Sequence, residues 1–140
     1  MAVDHAQALI VVIDDNVGDL ELVTEGLRAS GLDARVVTIN GGREAIGYMD
    51  AALRYVNDPP DLILLDINMP GTNGFQVLEY IRSHGAFADL PVFMFSTSIR
   101  ACDMERAEQL GATGYMGKPD TFAEYEEIAD RLVRFLPPDR

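Results

Sequence analysis

An α/β fold, a parallel sheet with helices on both faces, is predicted by three observations. Short continuous apolar runs alternate with amphipathic stretches five times along the 140 residues. Such runs, bounded by turn signals, read as strands buried on both sides. Glycine and proline mark nearly every change from one pattern to the other, so each strand is followed by a helix and a right-handed crossover. Finally, acids, a hydroxyl and a lysine fall just after the apolar runs, where the carboxyl edge of a parallel sheet gathers its ligand-binding groups.

The elements follow in order. The first strand spans residues 8–13 and ends at Asp14-Asp15. Leu20, Val23 and Leu27 have helical spacing over 17–30, and Gly31 is a natural helix stop. A β-branched run over 34–39 forms the second strand. Ile46, Met49, Leu53 and Val56 mark one face of a long second helix, which Pro59-Pro60 is expected to stop. Leu62 to Leu65 is the third strand, delivering Asp66 at its end, with turn-forming Pro70-Gly71 and then Gly74 soon after. A third helix covers 74–84 with Leu78 and Ile81 inward, and a fourth strand covers 91–96. A helix from Ile99 to Leu110 and a short strand over 114–117 precede Lys118-Pro119. Tyr125, Ile128, Ala129, Leu132 and Leu136 stripe the last helix, with Thr121 and Glu124 as its capping box.

Length and pattern indicate a single domain, residues 1–140, with nothing left over for a second. A hydrophobic fraction of 48% argues against disorder. The net charge of −12 would repel a phosphate backbone, which argues against nucleic-acid binding. The first apolar run is too short to span a membrane or serve as a signal segment. Cys102 has no second cysteine to pair with, which fits a reducing cytoplasm.

Asp14, Asp15, Asp66, Ser96 and Lys118 come from distant parts of the chain but share one sheet edge. Three neighbouring carboxylates repel unless a cation sits among them, and hard oxygen donors suit Mg²⁺ or Mn²⁺. A lysine and a hydroxyl opposite supply donors for phosphoryl oxygens, so the set reads as a phosphoryl-transfer site with a carboxylate nucleophile. Taken singly, each residue has a plainer reading. An acidic turn commonly caps a helix, Lys118 alone would be a solvated charge, and Tyr115 would be packing. His5 and His84 match no ligand spacing; His84 is expected to interact with the end of the third helix.

Four motifs in this order resemble the receiver domain of two-component response regulators. They are Val11-Val12-Ile13-Asp14-Asp15; Leu65-Asp66-Ile67-Asn68-Met69-Pro70-Gly71 with Asn73-Gly74; residues 91–96 ending in Ser96; and residues 111–119 ending in Lys118-Pro119. The resemblance covers nearly the whole chain. It implies a flavodoxin-like, CheY-like (βα)5 sheet in the order 2-1-3-4-5. It makes Asp66 the phosphoacceptor, Asp15 and Asp66 direct metal ligands, the Asn68 backbone carbonyl a further ligand, and Asp14 a ligand through water. Ser96, rather than the adjacent Thr97, becomes the switch hydroxyl; Lys118 pairs with the phosphoryl group; Tyr115 is the aromatic switch. Lys118-Pro119 is expected to be cis. The implied partners are a sensor histidine kinase or histidine phosphotransfer protein and a downstream protein target. The long second helix and Ser96-Thr97-Ser98 resemble single-domain regulators paired with phytochrome-type kinases. Tyr125 and Phe135, if surplus to the core, would serve a homodimer.

Two other classes compete. A haloacid-dehalogenase-like phosphatase needs a second acid two residues after its nucleophile, where this chain has Asn68, and a cap for which there is no room. A pseudo-receiver usually lacks an acid or the lysine, and none is missing. The sequence therefore reads as a phosphorylated switch rather than a turnover enzyme.

Overall fold

In the computed structural model, residues 7–138 are described; His5 lies outside them. Five strands alternate with five helices: β1 Ala8–Asp14, α1 Val17–Ala29, β2 Ala34–Asn40, α2 Gly42–Leu53, β3 Leu62–Leu65, α3 Gly74–Arg82, β4 Val92–Ser96, α4 Ala101–Gln109, β5 Gly114–Gly117 and α5 Phe122–Leu132. The sheet is parallel throughout, in the order β2-β1-β3-β4-β5. The predicted class and strand order are therefore observed.

Side chains on a strand alternate between faces, so the sheet divides the interior into two cores. Leu9, Val11, Ile13, Ile63, Leu65 and Met94 pack with Met49 of α2 and Leu78 and Ile81 of α3. Ile10, Val12, Leu62, Leu64, Phe93 and Phe95 pack with α1 and α5 through Val23, Leu27, Ile128 and Leu132. Every residue of β1 and β3 is buried, which is why neither shows polar alternation in its sequence. α4 is the thin element: Ala107 is its one buried residue.

Two features differ from expectation. α2 ends at Leu53, and Val56 lies beyond it, largely exposed. The helix stops before the prolines because the chain turns left-handed at Tyr55, with φ 59°. The Tyr55 N–H donates to the Ala52 carbonyl and the Val56 N–H to the Ala51 carbonyl. This is a Schellman closure with tyrosine where glycine is usual. Second, no peptide bond among the described residues is cis, so Lys118-Pro119 is trans. Trans remains the lower-energy isomer for X–Pro bonds unless tertiary contacts select otherwise.

The aromatics offered for a dimer are also engaged within the chain. Tyr125 is buried, edge-on to Phe95, and Phe135 lies edge-on to Phe93. Helix caps are a mixed outcome. Thr121 caps α5 by accepting from the Glu124 N–H, but its hydroxyl donates to the Glu124 carboxylate, so the reciprocal bond to the backbone is not made. A complete capping box instead begins α3, between Asn73 and Gln76.

Candidate functional site

β1 and β3 pair in parallel and end together, which brings Asp14 and Asp66 to one edge of the sheet. The Asp66 N–H donates to the Ile13 carbonyl at 2.9 Å, extending the ladder and fixing the residue that follows β3. The chain then turns sharply into α3, and the Gly74 N–H donates to the Ile67 carbonyl at 2.9 Å. A Cβ at Gly74 would stand 2.1 Å from the Asp66 carbonyl oxygen, so only glycine lets α3 start this close to the acid.

One carboxylate oxygen from each of Asp14, Asp15 and Asp66 can be chosen so that all lie within 4.8 Å of one another. Asp14 and Asp66 are buried, and Asp15 is exposed. Asp14 is held on one side by the Asn16 N–H, which donates to its Oδ1 at 2.9 Å. The three oxygens form a hard-donor set open to solvent through Asp15, and this chemistry fits a divalent ion such as Mg²⁺ or Mn²⁺.

Lys118, just after β5, reaches into the acids from the other side. Its Nζ lies 2.7 Å from Asp14 Oδ2, 2.8 Å from Asp19 Oδ2 and 3.7 Å from Asp66 Oδ1, with its side chain 7% exposed. The backbone is anchored by the Lys118 N–H donating to the Ser96 carbonyl at 2.9 Å. Lys118 is the chain's single lysine. Burial alone would lower its pKa, but the hydrogen bonds to Asp14 and Asp19 and the charge of Asp66 hold the ammonium well above its ordinary range. Asp66 moves the other way from most paired acids. Burial foremost, then the charge of Asp14, raises its pKa to about 6 despite the opposing pull of Lys118. The excess of carboxylates is the electrostatic reason a cation is wanted here.

Ser96, the last residue of β4, is fully buried, whereas Thr97 is exposed. The Ser96 Oγ accepts from the Ser98 N–H at 3.1 Å. The half-buried Tyr115 on β5 donates its hydroxyl to the Ser98 carbonyl at 2.7 Å. The Ser98 hydroxyl donates to Asp103 of α4 at 2.6 Å. Asn68 is exposed in the loop after Asp66 and lines a surface cleft with Thr97, Ser98 and Arg100. The structure thus gathers Asp14, Asp15, Asp66 and Lys118 into direct proximity. Ser96 at the end of β4 and Tyr115 on β5 are both hydrogen-bonded to Ser98, in the loop that follows β4. His84 contacts the Tyr80 carbonyl at 2.9 Å near the end of α3, as expected, and takes no part in the site. Asp19 was not anticipated. An acid in the first turn of a helix looks like a complement to the helix dipole, and its partner is 99 residues away.

The chain is 31% identical over 128 residues to the response regulator Rcp1 of Synechocystis sp., covering 91% of this chain and 87% of that protein. Its structure superposes on the phosphorylated cyanobacterial phytochrome response regulator RcpA with a TM-score of 0.82 at 33% identity, covering 94% of each chain. It superposes equally on the Mn²⁺-bound form of Rcp1, with a TM-score of 0.82 at 28% identity, over 94% of this chain and 99% of that one. Residues 10–130 match the response regulator receiver domain, and the chain belongs to that family.

Proposed function

We propose that Asp66 is the phosphoacceptor of a two-component system and that the molecule acts as a switch rather than a turnover enzyme. The observation that carries this reading is the buried Asp66 set between an acid cluster and the ammonium of Lys118. A carboxylate oxygen of Asp66 attacks the phosphorus of a kinase or phosphotransfer-protein phosphohistidine. The P–N bond breaks, its electron pair returns to the imidazole, and an acyl phosphate remains on Asp66. Lys118 offsets charge on the transferred group. A divalent ion, Mg²⁺ with Mn²⁺ as a substitute, would be held by Asp15, Asp66 and the Asn68 carbonyl, with Asp14 acting through water. When bound it supplies charge neutralisation at the phosphoryl oxygens. The solved phosphorylated RcpA and Mn²⁺-bound Rcp1 support this assignment by likeness.

Ser96 and Tyr115 carry the state outward. Moving the Ser96 hydroxyl toward a phosphoryl group takes it from the Ser98 N–H, and Ser98 is tied to Tyr115 and to α4. The surface of α4, β5 and α5 is therefore the face whose affinity for a downstream protein changes. A phytochrome-type histidine kinase is the proposed donor, on the likeness to Rcp1 and RcpA. The proposed setting is the cytoplasm, with the receiver domain acting on a downstream protein. No helix among the described residues is long and apolar enough to cross a membrane.

The test is incubation with acetyl phosphate and Mg²⁺ followed by intact mass. One phosphate adduct is expected on wild type and none on Asp66→Asn. An undiminished adduct on that variant would sink the assignment, and steady hydrolysis of free phosphate esters would indicate the phosphatase class.

A further inference from the structure

A lysine ammonium has three N–H donors. Two donors of Lys118 go to Asp14 at 2.7 Å and Asp19 at 2.8 Å, while Asp66 at 3.7 Å is beyond hydrogen-bond length. One donor thus remains to serve the Asp66 side. The two anchors differ in kind. Asp14 belongs to the acid cluster and also answers to the Asn16 N–H, so its oxygens are shared. Asp19 lies outside that cluster.

Asp19 is also firmly mounted. It sits in the first turn of α1, and its N–H donates to the Asn16 side chain at 3.0 Å, capping the helix. Farther along, α1 is pressed against α5, where a Cβ at Gly26 would come within 2.8 Å of Tyr125 Cβ. A lysine side chain carries about 2 kcal/mol of rotamer entropy, so a single anchor would leave its head free to sweep an arc. A second anchor from a different element fixes it to a point.

We propose that Asp19 is a positioning residue for the phosphorylation of Asp66: from α1 it holds the Lys118 ammonium where charge develops on the transferred group. The role rests on Asp66 being the phosphoacceptor. Asp19 itself touches only the lysine. Its effect is that of a remote group whose loss misplaces a catalytic one, a kind of error that costs rate without unfolding the protein.

The single lysine makes this directly observable. Protein labelled with [15N]lysine has one side-chain ammonium, expected to give a sharp, slowly exchanging resonance in wild type. In Asp19→Ala that resonance broadens or disappears, and the acetyl phosphate reaction with Mg²⁺, followed by intact mass, slows about tenfold. Asp19→Asn keeps an oxygen acceptor, retains the resonance and recovers most of the rate. An Asp19→Ala protein with either the wild-type resonance or the wild-type rate overturns the role, as does an Asn variant no better than Ala in both readouts. Should Asp19→Ala fail to fold, Asp19→Ser, too short to reach the ammonium, gives the same comparison. A wild-type chain that takes no phosphate refutes the phosphoacceptor reading itself, whereas a normal wild type indifferent to Asp19 refutes only this role.

Discussion

Asp66 binds a proton more readily inside the fold than in an unfolded chain, because burial and Asp14 both oppose its charge. Its pKa rises from an ordinary carboxylate value of about 4 to about 6. The folded state therefore holds more protons between these values, and stability falls as pH rises through that window. The contribution is present below about pH 4 and is lost above about pH 6, a difference of up to about 3 kcal/mol. Asp66→Asn is accordingly expected to stabilise the metal-free protein by about 1–3 kcal/mol at pH 7.5 and to have little effect at pH 4, as read by urea unfolding with a chelator present. A divalent ion offsets the same repulsion. Raising Mg²⁺ to ten times its Kd should add about 1.4 kcal/mol at neutral pH. Because Asp15 is exposed, Asp15→Ala should fold normally yet lose this metal-dependent gain; a thermal melt with and without Mg²⁺ checks both.

Among the elements, α2 carries a cost that function does not explain. Tyr55 occupies a left-handed conformation that disfavours any residue with a Cβ, and the residue is 92% exposed, so it gains little compensating packing. Tyr55→Gly should stabilise the fold by about 1 kcal/mol, measurable by urea unfolding, with phosphorylation unchanged. Gly74→Ala should do the reverse. Its new Cβ would collide with backbone at Asp66 rather than with a flexible side chain, so α3 must shift away from β3. A loss of more than about 3 kcal/mol is expected, together with slower phosphorylation, since the residue displaced is the proposed nucleophile.

Across the whole molecule, stability is uneven. β1 and β3 are covered on both faces, while α4 contributes a single buried side chain. Amide exchange should thus be slowest in the central strands and fastest, among the helices, in α4, the helix tied to Ser98 and Tyr115. What was legible in the chain follows the same division. The strands announced themselves because burial on both faces demands unbroken apolar runs. Asp14, Asp66, Ser96 and Lys118 stand out because they end or directly follow those runs, and a parallel sheet sends all such ends to one edge. Asp19 does not, because nothing local distinguishes a helix-capping acid from one that reaches a lysine across the fold. The end of α2 was misplaced because a left-handed Tyr55 leaves no compositional trace, and the visible prolines nearby supplied a plausible but later stop.

Ser98 gives its amide to Ser96, its carbonyl to Tyr115 and its hydroxyl to Asp103. These three bonds meet at one residue, two through its backbone and one through its side chain, so a change in one bears on the other two. Thermodynamic reciprocity then makes the output surface an input. With Asp66 as the proposed phosphoacceptor, a protein that grips α4 and displaces the Asp103 bond shifts the equilibrium of its phosphorylation by the same free energy with which phosphate alters that protein's grip. The target of such a molecule would help decide when it is switched on.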